Sequence, residues 1–346
     1  MQHYRSLLFT DRPGGFGGYC GAKRRDGLVF CMPAPHRIVP DPPPTFALAP
    51  SWLRRLAPPD IATEAVFYAG AALAALHPIA RDAHPLGCLW RQRLALSCAA
   101  ALARQGGRTE DEAVLRDHWY LRRDDDDPGP GGRILAAWRK LGERASPSDV
   151  EGWIFAVATT LGHPLGSLPG EIVELASRHS MHQHAVPVLA AAEIIAASRR
   201  LLPNEEALPL WLADAVLAHQ LRWAVPVPLI AAHLSRGALR KAPQHLEGET
   251  VFMSALCAAY TSAAVAAIDL YSELTRRATR LLAVAPKLRG KDADIMVGIL
   301  MVEDAQPAGA GKTASDRSTR RLFDRLVSLG AVRELTGRPT FRLYGL

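Results

Sequence analysis

The chain has 346 residues, 49% of them apolar and 22% charged, with a formal net charge of +7. This balance excludes a low-complexity or disordered chain, and the length suffices for a substantial core and about two domains. No run of eighteen uninterrupted apolar residues is present, so no membrane span is expected.

Residues 1–44 carry the glycine run Gly14-Gly15-Phe16-Gly17-Gly18 and a proline-rich run from Pro33 to Pro44. Both compositions predict a disordered Gly/Pro-rich extension. The glycine run is not a phosphate loop, because no strand precedes it and no helix follows. Met32 offers a second start, which makes the translation of residues 1–31 an open question. Peptides from before Met32 in native cells would answer it. The N-terminus lacks an apolar stretch long enough for a signal peptide. Cys20, Cys31, Cys88, Cys98 and Cys257 are scattered without a CxxC, as in a reduced, cytoplasmic protein.

Residues 45–285 predict an all-helical domain, an orthogonal or solenoid-like bundle rich in Ala and Leu. Asp60 caps a helix over about 61–76, ending before Pro78. A second runs over 86–104, ending at Gly106-Gly107. Thr109 and Glu112 form a capping box for a third, reaching Leu121. The polar run 122–132 holds four aspartates, and a short helix over 133–141 follows. Ser148 with Glu151 forms another capping box, for a helix ending at Gly162. Further helices are expected over 171–178, 186–202, 207–221, 229–239 and, the longest, 249–284. The stretch from Trp211 to Ala218, with the Val-Pro-Val-Pro corner at 225–228, predicts core and a stiff turn.

Few residues in this body suggest chemistry. His179, His182 and His184 have a spacing that can share a metal, but no Cys or HExxH accompanies them. The run Asp124 to Asp127 lacks EF-hand spacing and reads as a solvated acidic loop. GxSxG is absent, and neither His77-Pro78 nor His163-Pro164 is followed by Gly-Asn-Gly-Arg. Asp214 and Asp269 lie in apolar helical stretches, where a carboxylate is more often paired than catalytic. No catalytic residue, metal or cofactor is assigned, and oligomeric state is left open.

The last segment is the informative one. Residues 292–304 predict a helix that packs on a second helix starting at Ser315. Gly309-Ala310-Gly311-Lys312-Thr313 is an incomplete Walker loop, with Gln306 where the first glycine belongs, and Pro307 to Gly311 reads as a flexible link. In the second helix Leu322, Phe323, Leu326, Val327 and Leu329 fall on one side, opposite Arg317, Arg321, Asp324 and Ser328, flanked by Arg320 and Arg325. Gly330 ends it. Strands over 331–335 and 340–344 follow, joined by Thr336-Gly337-Arg338-Pro339. Alternation places Phe341 and Leu343 on one face and Arg342 and Tyr344 on the other.

From Ala305 onward there are eight basic and three acidic residues, so +5 of the net +7 lies in the last 42 residues. Phosphate binding needs such a local cluster. Residues 291–346 therefore predict a small winged-helix-like α+β domain on a mainly α protein. DNA is the expected partner, contacted by Arg317, Arg320, Arg321 and Arg325, with Arg338 and Arg342 serving the wing. The alternatives are a helical interaction scaffold whose basic tail binds an acidic protein, and an enzyme or small-ligand binder with a pocket in the helical body near Asp214 or Asp269.

Several stretches carry a resemblance: LWRQRLAL (89–96), DDPGP (126–130), WLADAVLA (211–218), VPVPLIAAHL (225–234), LLAVAPKLRGK (281–291) and residues 315–346. On these the chain is similar to the alphaproteobacterial domain-of-unknown-function family 1403, over about residues 46–346. The resemblance implies a helical protein of unassigned activity and supplies no catalytic residues. The last segment is also similar to C-terminal winged-helix segments of other bacterial proteins, where it is taken to bind DNA.

Overall fold

A computed structural model describes residues 24–25, 28–29, 40–54, 62–122, 126–143, 150–164, 168–181, 186–242, 249–288, 293–308, 316–338 and 341–346. In the N-terminal extension, β1 (Arg24–Arg25) pairs antiparallel with β2 (Leu28–Val29). The rest of that extension up to residue 39, with the glycine run, lies outside the described residues.

The body is helical throughout. Its elements are α1 (Ala62–Ala80), α2 (Leu86–Gln105), α3 (Glu112–Leu121), α4 (Gly129–Glu143), α5 (Val150–Leu161) and α6 (Gly170–Met181). They are followed by α7 (Pro187–Leu201), α8 (Ala207–Gln220), α9 (Arg236–Arg240) and α10 (Glu249–Val284). The main helix pairs are α1 with α10, α2 with α4, and α7 with α8. Alanine lines these contacts: Ala65, Ala69 and Ala72 on α1 and Ala263, Ala264 and Ala267 on α10 are fully buried or nearly so. Small side chains let helix axes approach closely. Two tryptophans then lock pairs of helices. Trp90 on α2 donates its indole N–H to the Ala267 carbonyl of α10 at 2.9 Å, and Trp211 on α8 donates to Ala137 of α4 at 2.9 Å. A buried indole left without an acceptor would forfeit about 1–3 kcal/mol, so these bonds fix register as well as packing.

Four local expectations are corrected. Pro78 does not end α1, which runs on to Ala80 because Ile79 and Ala80 are buried in the core. The cap of α3 is Asp111, whose Oδ1 accepts from Val114 N at 2.9 Å, not Thr109. Helix α4 starts at Gly129, where Asp127 accepts the Gly129 N–H at 3.0 Å. The single helix expected over 229–239 is a 3-10 turn (Ile230–Ala232) and then α9, separated by Ser235, which caps the second piece at Ala238 N.

Thr250–Lys287 has the length and mean hydropathy (1.8) of a membrane span. Of its most apolar window, 61% is buried inside the protein, as in the core helix of a soluble protein.

The C-terminal elements are α11 (Ala293–Leu300), β3 (Gln306–Pro307), α12 (Asp316–Ser328), β4 (Arg333–Glu334) and β5 (Leu343–Gly345). The strands form one antiparallel sheet in the order β3-β5-β4. Strand β3 runs into the start of the expected flexible link, and α11 stops at Leu300, short of Asp304. The Walker-like Gly309–Thr313 lies outside the described residues.

Candidate functional site

Helix α12 buries Thr319, Phe323 and Leu326 and half-buries Leu322, while Val327 is exposed against expectation. Phe323 stacks on Tyr344 of β5, with centroids 4.4 Å apart and rings 10° from parallel. This corrects the expected strand alternation. Tyr344 is buried and Phe341 is 75% exposed. Leu343 through Leu346 are all buried, with Phe323 covering Tyr344, so both faces of this stretch are covered and period-two patterning fails there, while Phe341 lies before β5 and faces solvent.

The end of α12 follows its sequence signature. Gly330 takes a left-handed φ of +62°. Its N–H bonds to the Val327 carbonyl at 2.8 Å, and the Ala331 N–H reaches the Leu326 carbonyl at 2.9 Å. A side chain at 330 would meet the Arg280 guanidinium, 2.7 Å from an ideal Cβ. That guanidinium can move aside, so the left-handed φ is what calls for glycine here.

Arg317, Arg320, Arg321 and Arg325 are all exposed on α12. Among the described residues none of the four has an ion-pair partner within 4 Å. Arg317, Arg321 and Arg325 recur every fourth residue and form one wall of an open groove of about 530 Å³, with Lys287 and Leu288 opposite. Lys287, just after α10, lies outside the boundaries expected for the cationic segment. Its contribution depends on how the body's last turn meets α12, which no local pattern encodes.

The two hairpin arginines are placed differently. Arg338 pairs with Asp117 of α3 at 2.7 Å, and Arg342 stands 3.7 Å from Glu334. Both side chains remain about half-exposed, but each spends charge on an internal carboxylate. Phe341 is exposed beside Arg342 with a φ of +54°, unusual for a residue with a Cβ.

Behind this surface a buried charge cluster joins the C-terminal elements to the body. Asp304 contacts Arg93 through one carboxylate oxygen and Arg116 Nε, at 2.7 Å, through the other. Gln92 accepts from the Asp304 N–H at 2.9 Å and donates to the Val302 carbonyl at 3.1 Å. Arg93 also donates to the Leu346 carbonyl at 3.0 Å. Glu303 faces Arg139 at 3.4 Å and accepts from Tyr120 at 3.3 Å. Burial disfavours the Asp304 charge, yet Arg93 and then Arg116 outweigh it and hold the carboxyl below its ordinary range. At Glu303 burial prevails and the pKa is raised. One cluster thus holds neighbouring carboxylates on opposite sides of their usual value.

The other candidates are accounted for locally. Asp214 is buried and accepts from Leu229 N at 2.7 Å, Ile230 N at 3.1 Å and the Tyr260 hydroxyl at 3.4 Å. It holds the Val-Pro-Val-Pro corner, and burial pushes its carboxyl up to about 7. Asp269 makes a two-pronged surface pair with Arg54, at 2.5 and 2.6 Å. His179 is buried near Glu193 at 3.3 Å, whereas His182 and His184 lie outside the described residues, as do Asp124 and Asp125.

No curated protein matches the chain. A family model does, from residue 42 to residue 346, a span that takes in the whole helical body and every C-terminal element described above. The chain therefore belongs to the family described as "Protein of unknown function (DUF1403)".

Proposed function

We propose that the protein binds DNA through residues 291–346, acting as a cytoplasmic regulator, with α12 as the reading helix and the β4–β5 hairpin as a wing. The observation that carries this reading is the row of four exposed arginines on α12, without internal carboxylate partners among the described residues. A guanidinium that is not spent inside the protein is available to phosphate or to a base edge. Support also comes from element order. Helix, strand, helix, strand, strand, with the first strand beside the last, matches the winged-helix order apart from the helix that such a domain carries between its first strand and its reading helix, a place that lies outside the described residues. Phe341 on the hairpin is exposed, as a side chain that enters a minor groove must be, and the half-exposed Arg338 and Arg342 would turn from Asp117 and Glu334 to a backbone phosphate. The thiols of Cys98 and Cys257, which form no disulfide, suit a reducing compartment.

The test is fluorescence anisotropy with genomic DNA fragments across a salt series. The intact chain should bind, and each single change of Arg317, Arg320, Arg321 or Arg325 to Ala should lower the log–log salt slope by about one unit. A protein that does not bind, or binds with a flat salt response, refutes the reading. Capture of an acidic protein that survives nuclease would transfer the arginines to a protein partner.

A further inference from the structure

A second cavity lies where the C-terminal hairpin meets the body, apart from the α12 groove. Its volume is about 310 Å³, at the small end of the range for small-molecule sites. About half of the wall is apolar: Leu94 on α2, Pro228 and Leu229 of the corner, and Ala263 and Leu270 on α10. The sequence around it explains the space. Alanines at 263 and 266 keep α10 thin at this level, and the Val-Pro-Val-Pro corner, held by Asp214, cannot collapse inward.

The polar groups on this wall fall into two sets. Arg93 is committed to Asp304 and Leu346, and the Ser97 hydroxyl donates at 2.7 Å to Glu112, whose carboxylate lines the same wall. His233 and Arg333 are uncommitted: among the described residues neither side chain has a hydrogen bond or ion pair. Burial lowers the His233 pKa, so its ring is neutral at pH 7 and can donate or accept one hydrogen bond. Arg333, exposed at the mouth on β4, lies near three further guanidiniums, Arg277, Arg93 and Arg116, with Glu273 opposing them. A concave space with a neutral imidazole, and a rim cation that makes no ion pair among the described residues and lies among three further guanidiniums, suits a small organic anion even with Glu112, which Ser97 holds, on the same wall.

We infer that this cavity binds a small monocarboxylate with an apolar body. The carboxylate sits on Arg333 and His233, and the hydrocarbon lies against Leu94, Leu229, Ala263 and Leu270. Such a ligand would bridge β4 and the helical body, the two sides of the junction. The site is independent of whether α12 binds DNA.

Calorimetric titration of the full chain with benzoate and hexanoate, against benzamide and hexanamide, tests this. The carboxylates should bind at least about tenfold more tightly than their amides, as expected for a charge-assisted hydrogen bond. Arg333→Gln should abolish that preference. Ala266→Phe, at an exposed position on the same wall, should block the carboxylates while thermal unfolding confirms an intact fold. Absence of binding, equal affinity for amide and carboxylate, or carboxylate binding indifferent to either substitution would each overturn the proposal.

Discussion

Asp304→Asn tests the charge cluster that joins the C-terminal elements to the body. Asp304, Arg93 and Arg116 are each under 9% exposed. Counting Arg93, Arg116 and Arg139 against Glu303 and Asp304 leaves a buried excess of one positive charge. The substitution raises that excess to two and leaves two guanidiniums facing a neutral amide. Removing one partner from a buried pair costs about 3–5 kcal/mol, because the remaining charge stays desolvated. At roughly 2 °C per kcal/mol for a chain of this size, the melting temperature should fall by about 6–10 °C. Asp324→Asn on the exposed face of α12 is the control and should stay within about 0.5 kcal/mol. The pH dependence has a definite sign. The folded pKa of Asp304 is depressed, so its contribution is present above the ordinary value of 3.8 and is lost as pH falls below it. Calorimetry and circular dichroism between pH 3 and pH 7 measure both effects. A loss below about 1 kcal/mol, near the size of one ordinary hydrogen bond, would refute the claim that Arg93 and Arg116 depend on this carboxylate.

Asp324→Asn makes a second prediction on the functional side: removing the acidic group between Arg321 and Arg325 should tighten DNA binding, read by anisotropy at low salt. Gly345→Ala should destabilise the protein by about 1–3 kcal/mol, since an ideal Cβ would lie 2.5 Å from the Asp304 carbonyl oxygen; urea unfolding measures this. Asp214→Asn should flatten stability against pH. In the native chain the folded pKa of about 7 exceeds the ordinary 3.8, so this group's contribution is full below that lower value and is lost as pH rises towards 7. Chemical unfolding at pH 4, 5.5 and 7 would show an unchanged slope if the buried corner does not depend on the protonated acid.

Much of the secondary structure is local and was legible. Helix α10 spans the predicted 249–284, and α12 ends at Gly330 as its signature requires, because periodicity and a left-handed glycine act within one or two turns. The row of arginines on α12 was equally visible, since a helical wheel needs only the 100° step. Pro78, Val327 and Phe341 were misplaced because neighbours far along the chain decide their burial. Ile79 and Ala80 pack into the core, and Phe323 covers Tyr344 while Phe341, just before β5, faces solvent.

Composition and spacing alone determined that this is a mainly helical protein with its positive charge gathered at one end. The tertiary structure decided which of those charges face outward. Asp117 and Asp304 lie far from their partners Arg338 and Arg93 in sequence, and only folding brings them within bonding distance. Helix-forming patterns are read over a few residues. The pairing of buried charges, and the cavity left where β4 meets α10, depend on contacts more than a hundred residues apart in several cases, which no local pattern encodes.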